Sequence, residues 1–166
     1  MDVQGLNQTL FSFQRSLAFW PGDIANPNAI GLTAIVQVLV AGTGLDPRIA
    51  TGSVAGWPTG GDNASKHFVT NSTTGVVGGT AIYTLCSATI KSNCWSGPYI
   101  GSIREDPWGN NYLINIQGFF DKTVATGYGW IISGGPDGKM DTTITDGQLK
   151  GDDIGIMAFK ARFEAQ

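Results

Sequence analysis

Between residues 137 and 153 the chain places Asp137, Asp141, Asp146, Asp152 and Asp153, five of its thirteen acidic residues, with only Lys139 and Lys150 to offset them. Carboxylates crowded in this way repel, so such a segment either splays into water or condenses on a cation. Glycines at 134, 135, 138, 147 and 151 let the backbone turn and aim carbonyl oxygens inward. Carboxylate plus carbonyl is a hard, all-oxygen donor set, suited to Ca²⁺ with six to eight ligands far better than to Zn²⁺. The segment is not an EF-hand: Asp137-Gly138-Lys139-Met140-Asp141 lacks the alternating acidic spacing and the glutamate at position twelve. Charge pattern alone leaves two readings open, a metal loop and a solvated acidic loop.

Other chemistry is sparse. His67 is the single histidine, and no Gly-x-Ser-x-Gly elbow accompanies it, so triad hydrolysis lacks its nucleophile. Glu105 and Asp106 form a carboxylate pair of the kind used in glycoside hydrolysis, but Pro107 and the following glycine mark them as turn residues. The glycines at 56, 60 and 61 lack the Lys-Ser/Thr close of a phosphate-cradling loop. A net charge of −3 with scattered Lys and Arg offers no basic stripe for nucleic acid. Cys86 and Cys94 either close a short loop in an oxidising compartment or remain two buried thiols, and with one histidine they cannot complete a structural zinc site. These features point away from an enzyme.

The elements that must position the acidic loop read as helix first, strands after. Leu6, Leu10, Phe13, Leu17 and Trp20 step by four, three, four and three, one apolar stripe of a helix over residues 2–20, ended by Pro21-Gly22. No evident cap precedes it. The segment therefore reads either as the distal half of a longer helix whose membrane-spanning half is missing, or as an ordinary amphipathic first helix. A second helix is expected over residues 29–41, capped by Asn26, burying Leu32, Ile35, Val36 and Leu39, and stopped by Gly42 and Gly44. A long glycine-rich stretch, 43–77, follows and includes Trp57. The period then changes to two: a strand from Thr80 to Lys91, hairpin arms at 112–117 and 128–132, and a last strand in which Met157, Phe159, Ala161 and Phe163 oppose Lys160 and Arg162. At 42% hydrophobic and 166 residues, one α+β domain spanning 1–166 is expected, a helix packed on an antiparallel sheet.

Three motifs in order carry a family resemblance: Asp106-Pro107-Trp108-Gly109-Asn110-Asn111-Tyr112, then Ser133-Gly134-Gly135-Pro136-Asp137-Gly138, then Gly151-Asp152-Asp153-Ile154-Gly155. From Gly97 to Ile154 the chain resembles the C-terminal half of the major pseudopilins of type II secretion systems. The resemblance implies a type IV pilin-like fold and a structural subunit that polymerises with copies of itself and other pseudopilins into a short periplasmic filament. It implies protein transport, not catalysis, and an inner-membrane anchor through the missing part of the first helix, with the cell surface as the alternative location. It also implies structural calcium, with side-chain oxygens from Asp137 and one or both of Asp152 and Asp153, and carbonyl oxygens from Gly134 and Met140. The loop is longer than the family's usual form, which makes Asp141 or Asp146 a possible substitute ligand. The rival readings are a minor pilin acting as an adhesin or binding module through Trp57, and a secreted hydrolase. Trp108 is expected as a buried pin for its turn, with ligand stacking as the alternative.

Overall fold

The computed structural model describes residues 2–23, 25–27, 29–32, 34–49, 56–120 and 127–159. Helix α1 runs Val3–Leu17 and buries Leu6, Leu10, Phe13 and Leu17 completely. It is capped after all: Asp2 stands in extended backbone and its carboxylate accepts the Gly5 N–H at 2.9 Å. Its C-terminus comes before Pro21, where Ala18 takes the left-handed conformation and donates its N–H to the Gln14 carbonyl. Trp20 lies beyond the helix but still completes the stripe, its ring 4.9 Å from that of Phe119.

Among the described residues the expected second helix is absent. Residues 29–32 turn, and Val38–Ala41 form strand β1. The run Ile35-Val36-Gln37-Val38-Leu39-Val40 is rich in β-branched side chains, which lose rotamer freedom in a helix, and a short apolar run does not separate helix from strand by period alone. Pairing decided it: β1 lies antiparallel to β3 (Tyr112–Asn115), with Leu39 opposite Ile114. Gly42, read as a helix stop, instead ends this strand at φ +128°.

Among the described residues the sheet has five strands in the order β2-β1-β3-β4-β5, where β2 is Asp62–Asn63, β4 Gly129–Ser133 and β5 Ile154–Phe159. All neighbours are antiparallel except β1 and β2. The expected hairpin is present, Leu113 pairing with Ile132, but its first arm stops at Asn115 and a short helix α2 (Gln117–Phe120) follows. The expected strand over 80–91 is not regular. It is held by isolated bridges, Ser72 to Ala81 and Leu85 to Trp95, and by the Cys86–Cys94 disulfide. The inter-arm loop at Asp121-Lys122 and the end of the last strand from Lys160 onward lie outside the described residues.

Two cores flank the sheet. Helix α1 packs on one face with Leu39, Ile114 and Ile131, and Phe13 meets Phe68, Tyr83 and Tyr99 ring to ring at 5.0–5.7 Å. The opposite face holds Val38, Leu113, Trp130 and Ile132 under Trp57, Met140 and Ile144. The central strands are thus apolar on both faces, as strands covered on both sides must be.

Candidate metal centre

The cover on the second face is the acidic loop itself. Met140, Thr142 and Ile144 are buried while Asp141, Thr143 and Thr145 between them are not, the alternation of an extended segment with one dry side. Trp57 is buried as well and donates its indole N–H to the Thr142 carbonyl at 2.7 Å, so it is a roof support and not the exposed contact residue expected of an adhesin. Loop and sheet are therefore one packed unit.

The first two motifs are stitched together beneath it. Asp106, buried, accepts the backbone N–H groups of Trp108 (2.9 Å) and Asn110 (2.7 Å), and its second oxygen accepts the Ser133 hydroxyl. The Asn110 amide continues the link by donating to the Gly135 carbonyl at 2.8 Å. The turn is held by its aspartate. Trp108, expected as the buried pin, is 46% exposed. Glu105 is equally committed, accepting the Thr43 N–H at 2.7 Å and the Thr43 hydroxyl, so neither carboxylate of that pair is placed for hydrolysis.

Within the loop the five aspartates divide. Asp137 is exposed, accepts the Lys139 N–H at 2.8 Å and pairs with the Lys139 ammonium at 3.6 Å. Asp152 accepts the Asp137 N–H at 3.1 Å, joining the two ends of the loop. Asp146 is taken up by Thr143 N–H and by Lys150 at 2.7 Å. Asp153 is buried; one oxygen accepts the N–H groups of Asp141 (3.0 Å) and Thr142 (2.6 Å), and its other oxygen is buried with no hydrogen-bond partner. Burial pushes the Asp153 carboxyl above the usual carboxylate range, and the neighbouring Asp141 charge pushes it the same way. Gly135 and Gly151, both at positive φ, permit this closeness, since a Cβ on the first would strike the Asp152 carbonyl and one on the second the Asp141 carboxylate.

The residues expected as ligands thus lie on adjoining turns. Asp137 and Asp152 meet through a backbone bond, and Asp141 and Asp153 through another. Met140 has its side chain in the second core, which leaves only its main-chain oxygen as a ligand atom, and Gly134 lies against the Lys139 carbonyl. Among the described residues no group of three or more His, Cys, Asp or Glu side chains is gathered to hold a metal ion. The donor chemistry nevertheless suits a hard cation: all oxygen, with one buried carboxylate oxygen unpartnered beside a second carboxylate. The sequence named Asp153 among the candidate ligands but not its burial, which the alternation of Met140, Thr142 and Ile144 signals because it brings the 141–142 backbone inside.

His67, the lone histidine, is structural. It is fully buried, with Nδ1 2.6 Å from the Tyr83 hydroxyl and Nε2 3.2 Å from Asp62. Burial pushes the Asp62 carboxyl up, but hydrogen bonds from His67 and Lys66, the His67 charge and the Asn63 N–H outweigh it and hold the group well below the usual range.

The molecule is an α+β helix-on-sheet protein whose conspicuous loop is a roof, with no catalytic constellation assembled on it among the described residues. The model of the family described as type II secretion system (T2SS), protein G, matches residues 79–152, slightly less than half the chain, and over this segment the chain is similar to that family. The family is a structural component of secretion and not an enzyme class. No curated protein and no solved structure matches the chain. Among the described residues no helix is long and apolar enough to cross a membrane.

Proposed function

We propose that this chain is a structural subunit of a type II secretion pseudopilus, assembling with copies of itself and with other pseudopilins on the periplasmic side of the inner membrane. The match over residues 79–152 carries this reading, because it spans the Asp106 turn, β3, β4 and the acidic loop as far as Asp152. In this reading the acidic loop binds Ca²⁺ structurally. Asp153 supplies the buried, unpartnered oxygen, and Asp141, whose charge acts on it, supplies a second carboxylate. Asp152, Asp137 and the carbonyls of Gly134 and Met140 are the remaining ligands. The ion would supply charge neutralisation and no reaction step. It would fasten the roof over Met140 and Ile144, so that the sheet keeps one shape on assembly. The adhesin reading loses its contact residue because Trp57 is buried.

The test is complementation. A full-length chain carrying this domain is expressed in a host lacking its own major pseudopilin, and export of a secreted enzyme is assayed in the medium. Restored export is expected. A chain that is stably expressed and inert in this assay overturns the subunit role.

A further inference from the structure

The Cys86–Cys94 loop stands out from the fold on a fixed base. Cys94 and Trp95 are buried. The Trp95 N–H donates to the Thr84 carbonyl at 2.8 Å, the Cys86 N–H to the Trp95 carbonyl at 3.1 Å, and the Ser16 hydroxyl on α1 to the Cys94 carbonyl at 2.7 Å. From this base residues 85–93 emerge exposed. The loop is also braced within itself. A disulfide closes it between cysteines eight positions apart, and Ser87 donates its N–H to the Ile90 carbonyl at 2.9 Å. The Ser87 hydroxyl oxygen accepts the N–H groups of Thr89 at 3.3 Å and Ile90 at 3.1 Å. A loop held in one shape beforehand loses little entropy when it docks.

The bracing stops at Lys91. Ser87 engages both main-chain groups of Ile90, whereas Lys91 makes no hydrogen bond through its main chain or its ammonium among the described residues. Ile90 and Lys91 lie outside any turn, and in an extended stretch the main-chain groups of neighbouring residues point to opposite sides. With those of Ile90 tied inward, those of Lys91 are left for an outside partner. Of the four lysines among the described residues, Lys66, Lys139 and Lys150 each meet an aspartate and Lys91 meets none. No Asp or Glu occurs from residue 63 to residue 104, so its own stretch of chain offers the ammonium no counter-charge. Small Ser92 follows, and Asn93 at φ +52° turns the chain back to Cys94.

We propose that this loop is a reversible ligand for a trypsin-like serine protease, with Lys91 entering the primary specificity pocket and the Lys91–Ser92 peptide bond lying across the nucleophile. Such a protease carries a carboxylate in that pocket, which the unpaired ammonium matches. Attack by the protease serine forms an ester at the Lys91 carbonyl carbon and breaks the Lys91–Ser92 C–N bond. The serine's proton passes through the protease histidine to the Ser92 nitrogen. In an open chain the new amine would diffuse away. Here the Cys86–Cys94 disulfide spans the break, so the amine stays beside the ester at high effective concentration. It attacks the ester in turn, the serine oxygen leaves and recovers its proton, and the peptide bond is restored. The protease is occupied and not turned over. This activity rests on the loop alone and is separate from the subunit role.

Trypsin, assayed with a chromogenic lysine amide in the presence of about 1–100 µM disulfide-bonded protein, tests this. Wild type is expected to inhibit competitively, and the inhibition should persist on prolonged incubation. Lys91→Ala should weaken it about thirtyfold or more, the loss typical of a central anchor. Lys91→Gln replaces it if the alanine variant melts below wild type. Lys91→Phe should transfer inhibition from trypsin to chymotrypsin, whose pocket is a hydrophobic slot, a change that a merely structural lysine would not produce. Mass spectrometry of the wild-type mixture should show the loop intact or nicked only at Lys91–Ser92, with both ends still joined by the disulfide. No inhibition at about 100 µM, equal inhibition by wild type and Lys91→Ala, or inhibition that fades as Lys91–Ser92 is cut to completion would each overturn the proposal.

Discussion

Asp153→Asn isolates what the charge in the roof does. Asparagine keeps an oxygen that can accept the Asp141 and Thr142 N–H groups and removes only the buried charge. In wild type the folded state holds the Asp153 proton more tightly than the unfolded chain does. Its contribution to stability is therefore full below the ordinary carboxylate value and is lost as pH rises through the raised folded value. Above that window, without calcium, the protein carries an unpartnered buried carboxylate oxygen beside Asp141, a burden of about 1–3 kcal/mol by the usual cost of an unmet buried group. A cation that binds only the folded state returns about 2.7 kcal/mol at a hundredfold excess over its dissociation constant. For a chain of this size that moves Tm by about 5–11 °C. Differential scanning calorimetry at neutral pH, with calcium and with chelator, is expected to show this shift for wild type and little or none for Asp153→Asn. The calcium-free variant should melt no lower than calcium-free wild type and should lack its decline with rising pH. Equal shifts in both proteins, or none in wild type, would refute the calcium reading.

Two other carboxylate networks give further outcomes. Asp106→Ala removes the acceptor for Trp108 N–H, Asn110 N–H and the Ser133 hydroxyl and should cost about 3 kcal/mol in urea unfolding, whereas Trp108→Ala should cost under about 1 kcal/mol. The reverse ranking would mean that the aromatic ring, and not the carboxylate, holds the turn. Asp62 has the opposite sign to Asp153: its folded value is depressed, so its contribution is present above the ordinary carboxylate value and disappears as pH falls through the folded one. Acid unfolding followed by circular dichroism should show a steeper fall below that value in wild type than in Asp62→Asn, and parallel curves would count against the His67–Asp62 network.

Helix α1 was legible because Leu6, Leu10, Phe13 and Leu17 are a local pattern, fixed by the geometry of one helix. The strands β3 and β4 and the hairpin between them were legible for the same reason, as was the order of the motifs. The helix cap was overlooked although Asp2 stands where a cap belongs. What failed depended on partners far along the chain. Residues 38–41 have apolar side chains that suit helix or strand, and β3, more than seventy residues later, made them a strand. Trp57 and Trp108 are both tryptophans beside proline in turn-like contexts, and only the packed roof buries the first and leaves the second in water. The aspartates show the same division. Their number and spacing are properties of the sequence, but which of them is desolvated follows from where Met140, Thr142 and Ile144 insert over the sheet. Composition and local period determine the elements and the supply of charge, because they depend on neighbours a few residues apart. Burial, pairing and the state of each carboxylate were decided by the tertiary structure, because they depend on which distant segments exclude water from them.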